Sequence, residues 1–143
     1  MEEIEIFTDG ACRGNPGLGG WGALIRKDGE ESSLWGGERD TTNNRMEMEA
    51  AIKGLESIID SSNITITTDS NYLKDGITQW LEGWKKKGWK TAAKKPVKNQ
   101  DLWMRLDELS KFHNVKWKWV KGHSGHRENE IADLLANKGI DEL

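Results

Sequence analysis

The spacing of apolar residues changes along the chain, and this change limits the folds that the chain can adopt. The residues from Ile4 to Asp9 alternate as they do in a strand, and short apolar runs follow at 21–26 and, more weakly, at 33–37. Gly29 separates the second run from the third, which favours an antiparallel meander of three strands. From about residue 44 to residue 60 apolar residues recur every three to four positions, which predicts a helix.

The later segments complete an α/β pattern. A β-branched run at 64–68 predicts a fourth strand, and the alternation from Val115 to Val120 predicts a fifth. Helices are expected from Tyr72 to Trp84, with a break near Gly83, and then around the sets Leu102, Leu106, Leu109 and Ile131, Leu134, Leu135, Lys138. This order predicts one α/β domain over residues 1–143, with a mixed sheet flanked by helices.

Basic residues are concentrated in one part of an acidic chain. The basic segment (residues 84–98) holds seven lysines and no acid, whereas the other 14 basic residues are outnumbered by 24 acidic ones. The net charge of -3 argues against a nucleic-acid partner if it is taken as an average. The local charge instead predicts a compact basic patch on an acidic body.

Composition also limits the expected location. Cys12 is the one cysteine, so an intramolecular disulfide is excluded and a reducing compartment is favoured. No apolar run approaches the roughly 20 residues that span a bilayer, and the acidic N-terminus lacks a signal-peptide pattern. We therefore expect a cytoplasmic protein with no membrane partner.

Four acids lie where predicted strands end or on predicted helices, namely Asp9, Glu47, Asp69 and Asp133. Each has an ordinary structural explanation: Asp9 a turn before glycine, Glu47 a capping box, Asp69 an N-cap, and Asp133 a solvated helix face. The structural explanation for Asp9 is the weakest, since an acid in an apolar strand beside a Gly-rich loop has little structural reason to be there. If all four converge, their charges repel and require cations, and carboxylate oxygens suit Mg²⁺ or Mn²⁺.

Five segments carry a resemblance to a known family: TDGACRGNPGLGGWG (8–22), TTNNRMEMEAA (41–51), TTDSNY (67–72), ITQWLEGWKKKGWKTAAKKPVKNQDLW (77–103) and WVKGHSGHRENEIAD (119–133). In this order and at this spacing they resemble the ribonuclease H type 1 family, in its bacterial form with a basic protrusion. The resemblance runs from about Ile6 to Ala136. It implies a ribonuclease H-like five-stranded mixed sheet, three antiparallel strands and then two parallel ones. It also implies endonucleolytic cleavage of the RNA strand of an RNA–DNA hybrid.

The resemblance implies roles for individual residues. Asp9, Glu47, Asp69 and Asp133 resemble the family's metal-binding carboxylates, and His123 its catalytic histidine. Four asparagines resemble the family's polar contacts to the minor groove of the hybrid, namely Asn15, Asn43, Asn44 and Asn71. At the last of these positions the family often has Gln. Arg26 and Thr42 resemble the family's DNA-phosphate site, and Trp80 resembles its DNA-channel aromatic residue. The basic segment resembles the family's basic protrusion, through Trp84, Lys85, Lys86, Lys87, Lys90, Lys94 and Lys95. For the tryptophans at 80, 84 and 103, burial in the core is the alternative.

The implied mechanism uses two Mg²⁺ ions, with Mn²⁺ as an alternative, one activating water and the other stabilising the departing 3′-oxygen. It leaves a 5′-phosphate and a 3′-hydroxyl, with His123 assisting proton transfer or product departure. A non-catalytic hybrid-binding domain on the same fold is the alternative, but it predicts a lost carboxylate or histidine, and none is missing. A related nuclease or transposase is disfavoured by the TTNNRME segment and the lysines. We expect a free-standing monomer without an extra hybrid-binding module.

Overall fold

Five strands form one mixed sheet in the described part of the chain. The structure is a computed structural model and describes residues 3–121 and 126–143. The strands are β1 (Glu3–Arg13), β2 (Gly17–Lys27), β3 (Glu30–Thr41), β4 (Asn63–Thr68) and β5 (Asn114–Trp119). They lie in the order β3-β2-β1-β4-β5, in which β2 is antiparallel to both β1 and β3, and β4 is parallel to both β1 and β5. The predicted five-stranded mixed sheet is confirmed.

Helices cover both faces of this sheet. They are α1 (Asn43–Glu56), α2 (Asn71–Asp75), α3 (Leu81–Lys86), α4 (Gln100–Phe112) and α5 (Arg127–Asp141). On one face α1 packs against β1, β2 and α4, and on the other α5 packs against β1, β2 and β3. None of the helices within residues 3–121 and 126–143 is long and apolar enough to cross a membrane.

The main core lies between the sheet and α1 and α4. Ile4 and Ile6 of β1 and Ile64 and Ile66 of β4 are almost completely buried, as the alternation along these strands requires. They join Met48, Ile52 and Leu55 of α1 and Leu102, Trp103, Leu106 and Leu109 of α4. Each fully buried aliphatic side chain stabilises the fold by about 1.5–3 kcal/mol, so this core fixes where the strand ends lie.

Two helix boundaries differ from the sequence prediction. The first long helix, α1, ends at Glu56 and not near residue 60, because Ser57 caps it with a 2.7 Å hydrogen bond from its hydroxyl to the carbonyl of Gly54. The break predicted near Gly83 is wrong, since that residue lies inside α3 and the irregularity is a π-helical turn at Gly76–Trp80. A side chain at Gly76 would overlap the buried indole of Trp103, so tertiary packing constrains this turn.

The last helix uses a different face from the predicted one. An apolar face through Leu134 was expected, but that side chain is 69% exposed. The buried positions of α5 are Ala132, Ala136, Gly139 and Ile140. Small residues allow the helix backbone to lie close to the glycine-rich strands β2 and β3, and this packing fixes the position of α5 relative to the end of β1.

Candidate active site

Three carboxylates meet at one edge of the sheet. Asp9 lies on β1 and Asp69 directly follows β4, and these strands are parallel neighbours in which Phe7 pairs with Thr67. Both acids lie two residues beyond that pair, so the register places them side by side. Glu47 comes from the N-terminal half of α1, and one carboxylate oxygen from each of the three residues lies within 4.8 Å of the others.

Gly10 positions Glu47 beside Asp9. Its backbone N–H donates to Asp9 Oδ1 at 2.9 Å and to Glu47 Oε1 at 3.1 Å. A Cβ atom at this position would lie 2.6 Å from the carbonyl carbon of Met46, so the close approach of β1 to α1 requires glycine. The capping-box alternative for Glu47 is therefore wrong, and the helix is capped by Thr42, whose hydroxyl accepts from the N–H of Arg45 at 3.2 Å.

The fourth acid, Asp133, lines the same cavity from α5. The cavity has a volume of about 380 Å³, and Asp9, Glu47 and Asp69 also line it. Among the described residues Asp133 does not belong to the group whose oxygens come within 4.8 Å of one another. Its carboxylate is half-buried and lies 3.5 Å from the side-chain amide of Asn137. The structure thus brings three acids into ligand distance and places the fourth at the rim.

Burial and mutual repulsion raise the pKa values of two of these acids. Burial, together with the charges of Asp69 and Asp133, raises the pKa of Asp9 from its usual 3.8 to about 7, although hydrogen bonds with Glu47 and Gly10 partly oppose the rise. Burial, followed by the charges of Asp9 and Asp69, holds the pKa of Glu47 well above its usual 4.5. In the absence of cations, a proton shared by Asp9 and Glu47 therefore relieves part of the repulsion.

The donor set fits a divalent metal ion. Glu47 is 5% exposed, and its Oε2 atom is buried with no hydrogen-bond partner among the described residues. A buried carboxylate oxygen without a partner is costly, and a cation would satisfy it. Because the ligands are oxygen atoms of carboxylates, the site suits hard cations such as Mg²⁺ or Mn²⁺.

Asparagines surround the carboxylates. Asn43 and Asn44, from the first turn of α1, and Asn71, from the start of α2, line the cavity. Asn15 lies next to them, because its side-chain oxygen accepts from the N–H of Asn43 at 3.0 Å. The structure thus places the four predicted minor-groove residues around the acids. His123 lies outside the described residues.

Arg26 does not lie near Thr42. It pairs with Glu5 and Glu31 across the sheet, whereas Thr41 pairs with Gly17 at the opposite end of β2, roughly nine residues or 30 Å away. The guanidinium of Arg26 is occupied by three acids, Glu128 at 2.8 Å, Glu31 at 3.0 Å and Glu5 at 3.4 Å. The prediction of one phosphate site that contains both Arg26 and Thr42 is therefore wrong.

Aromatic packing anchors the basic segment. Trp84 is half-buried, and its ring lies 5.7 Å from that of Trp80 and 5.6 Å from that of Trp103, which is fully buried. Lys85 is committed within the protein, with its ammonium 3.1 Å from Asp107. Six other lysines are exposed and form no ion pair with any described residue, namely Lys86, Lys87, Lys90, Lys94, Lys95 and Lys98.

A polar network that the sequence analysis missed joins α1 and α2 to the start of α4, directly after the basic segment. Arg45 binds Asp101 through two hydrogen bonds of 2.9 and 3.1 Å and reaches the side-chain oxygen of Asn99 at 3.2 Å. Asn99 and Trp103 in turn donate to the hydroxyl of Tyr72, which lines the carboxylate cavity. Arg45 and Tyr72 fall inside the segments TTNNRMEMEAA and TTDSNY, so a signal was present, but the partners of Arg45 are more than 50 residues away.

Comparison with known proteins identifies the family. A family model described as RNase H matches residues 1–141. The chain belongs to the ribonuclease H family. It is 63% identical over 140 residues to the ribonuclease H of Halorhodospira halophila, covering 98% of this chain and 94% of that one. It is 64% identical over 143 residues to the ribonuclease H of Hydrogenovibrio crunogenus, covering 100% and 99%.

A solved ribonuclease H has the same fold. LC9-RNase H1, described as a type 1 RNase H with the type 2 active-site motif, superposes with a TM-score of 0.89 at 32% identity, covering 99% of this chain and 73% of that one. Membership of the ribonuclease H family makes this chain a nuclease, and the acidic edge of its sheet is the candidate active site.

Proposed function

We propose that the chain hydrolyses the RNA strand of RNA–DNA hybrids at the acidic edge of the sheet, with Mg²⁺ as the metal and Mn²⁺ as a substitute. The observation that carries this proposal is the convergence of Asp9, Glu47 and Asp69, with Glu47 Oε2 buried and without a partner. In this proposal these three residues and Asp133 hold two ions. Bound there, the ions would supply an activated water, charge relief on the phosphorane and stabilisation of the departing 3′-oxygen.

The protein itself contributes orientation and proton transfer. The N–H of Gly10 binds one oxygen of Asp9 and one of Glu47, so both carboxylates are oriented before a metal ion binds. His123 is proposed to carry a proton to or from the reacting oxygens or to assist product departure. Cleavage then leaves a 5′-phosphate and a 3′-hydroxyl.

Recognition of RNA is proposed to come from the asparagines. A 2′-hydroxyl both donates and accepts hydrogen bonds, and a side-chain amide can match either role. Asn43, Asn44 and Asn71 line the cavity, and Asn15 is held beside Asn43, which supports a role for these amides next to the scissile phosphate. DNA offers no 2′-hydroxyl, so these contacts favour the RNA strand.

The basic segment is proposed to hold the DNA strand by its phosphates. Its exposed lysines are free of ion pairs with described residues, and phosphate contacts add affinity without sequence preference. Trp80 and Trp84 are half-buried and pack against each other at the base of this segment, where they can both support it and contact the DNA. Lys85 contributes less, because Asp107 and Glu82 already bind it.

We also propose that the protein acts as a single-domain monomer in the cytoplasm. Cys12 is a free thiol, which fits a reducing compartment. A mass of 16.2 kDa in sedimentation equilibrium would support the monomer, and twice that mass would contradict it.

The test of the proposed function compares three substrates of one sequence: an RNA–DNA hybrid, duplex DNA and single-stranded RNA. With Mg²⁺, we expect cleavage of the hybrid RNA alone, products with 5′-phosphates, and no cleavage in EDTA. Asp9→Asn should abolish the activity, and Asp28→Asn, a matched change at an exposed turn, should leave it unchanged. Comparable rates on all three substrates would overturn the proposal, and binding of the hybrid without cleavage would indicate the non-catalytic alternative.

A further inference from the structure

A second cavity adjoins the carboxylates on the β5 side. Its volume is about 430 Å³, and it lies between the ends of β4 and β5. It shares Asp69, Ser70 and Asn71 with the first cavity, so the two cavities are neighbours at Asp69. The lining that belongs to the second cavity alone includes Lys74 and Lys121.

Both lysines are exposed and carry uncompensated charge. Neither forms an ion pair or side-chain hydrogen bond with any residue in 3–121 or 126–143. Some other cations are neutralised locally, such as Lys111 by Asp107 at 3.2 Å and Arg105 by Glu56 at 2.8 Å, whereas these two resemble the exposed lysines of the basic segment. What distinguishes Lys74 and Lys121 is their position, because they line one cavity directly beside the carboxylates and can attract an anion there.

The backbone fixes where these lysines can reach. The N–H of Val120 donates to the carbonyl of Thr68 at 3.1 Å, which extends the β4–β5 pairing to the residue before Lys121. The N–H of Lys74 donates to the carbonyl of Ser70, the residue after Asp69, at 3.1 Å. Lys74 therefore lies one helical turn beyond Ser70. Both side chains therefore start from ordered backbone at the cavity.

Trp119 supplies an aromatic wall of the same cavity. It is half-buried, and its ring stacks on that of Trp117 with a centroid distance of 5.4 Å and an interplanar angle of 5°. An aromatic wall beside two cations suits a nucleotide, whose sugar and base present apolar surface next to the phosphate.

We infer that this cavity binds a backbone phosphate of the RNA strand adjacent to the scissile one, through Lys74 and Lys121. The inference rests on the proposed function and extends it. An RNA strand that passes Asn43 and Asn44 and crosses the carboxylates continues past Asn71 into this cavity. The two lysines there offset the repulsion between the acidic site and the polyanion on the side away from α1.

The first experiment measures hybrid binding in EDTA, where hydrolysis is prevented, over a series of salt concentrations. Lys74→Ala and Lys121→Ala should each flatten the log–log salt slope by about 0.9 and weaken binding severalfold at low salt. Lys116→Ala is the matched control, because Lys116 is an exposed lysine of β5 whose strand partner is Thr65, four residues before Asp69. An unchanged slope for both test variants, or an equal change for the control, would overturn the inference.

The second experiment locates the contact on the substrate. Hybrids with one cleavable stretch are shortened on the 5′ or the 3′ side of the cut, and the effect of Lys74→Ala plus Lys121→Ala on KM is measured in Mg²⁺. The effect should disappear when one side is shortened and persist when the other is. If the effect on KM survives both truncations, the lysines contact the DNA strand or make no specific phosphate contact. Either result would overturn the inference. If the parent cleaves the hybrid and the lysine variants have the same KM and salt slope as the parent, only this subsite is refuted. If the parent does not cleave the hybrid, the proposed function is refuted.

Discussion

Replacing Asp9 by Asn should stabilise the metal-free protein at neutral and alkaline pH. Asp9 is half-buried beside Glu47 and Asp69, and burial raises its pKa to about 7. The amide has nearly the shape of the carboxylate, keeps an oxygen to accept the 2.9 Å hydrogen bond from the N–H of Gly10, and carries no charge. The substitution therefore removes the repulsion with little change in packing.

The size of the effect follows from the pKa shift. A rise from 3.8 to about 7 is roughly three units, and at about 1.4 kcal/mol per unit it destabilises the ionised folded state by about 4 kcal/mol. The weaker hydrogen bond that Gly10 donates to an amide offsets about 1 kcal/mol. The expected net gain is about 3 kcal/mol, equivalent to roughly 6–12 °C in Tm for a domain of this size.

The pH dependence has a defined sign. The folded-state pKa of Asp9 lies above its unfolded value, so the folded state binds the proton more tightly. The contribution of Asp9 to the parent's stability is therefore greatest below about pH 4 and is lost as the pH rises through about 7, whereas the variant lacks this contribution. The gap between them should be small at pH 4 and reach its full size above pH 8.

Urea unfolding in EDTA at pH 4, 6 and 8.5 measures this gap, with Asp28→Asn as the control for an exposed aspartate. Addition of Mg²⁺ at pH 8.5 should narrow the gap, because the parent gains more binding free energy from the ion. A variant less stable than the parent at pH 8.5 in EDTA would show that hydrogen bonds to the Asp9 carboxylate outweigh the repulsion. A gap that does not change with pH would show that titration of Asp9 is not its cause.

Three further predictions concern activity. Arg45→Lys cannot keep both hydrogen bonds to Asp101, so the base of the basic segment should loosen. KM for the hybrid should then rise about fivefold with kcat nearly unchanged. A fall in kcat alone would show that Arg45 takes part in the chemical step instead. Lys86→Ala plus Lys87→Ala should raise KM and flatten the salt slope, whereas Lys85→Ala should mainly lower Tm by leaving Asp107 without its closest cation, and the opposite pattern would contradict the ion-pair assignment. His123→Ala should retain activity at about 10⁻² to 10⁻⁴ of the parent, while Asp9→Asn should be inactive, and equal loss in both would indicate that the histidine binds metal.

Local patterns in the sequence were sufficient for much of the fold. The alternation in β1 and β4 and the three-to-four period of α1 reflect burial against a single core, so the strands and that helix could be predicted from their own residues. The face of α5 could not, because it is decided by the glycines of distant strands that accept Ala132 and Ala136. The π-helical turn at Gly76–Trp80 likewise depends on Trp103, which lies far along the chain.

The candidate site divides in the same way. The acids and asparagines lie in short segments with a recognisable order, so their clustering could be predicted before the structure. The ion pairs of Arg26 and Lys85 could not, since each depends on an acid from a different element. The network of Arg45, Asn99 and Tyr72 has the same origin, because its members come from α1, the segment before α4, and α2.

The pairing of β1 with β4 sets when the metal site can exist during folding. The meander of β1, β2 and β3 is local in sequence and contains Asp9 alone, whereas Asp69 arrives with β4, some 60 residues later, and Asp133 with the last helix. Closing that long loop precedes the meeting of the acids, so divalent ions have no cluster to bind until most of the sheet has formed. Metal binding therefore acts on the folded protein, and it slows unfolding much more than it speeds folding. When β1 separates from β4 during unfolding, the acids move apart and the ion is lost early.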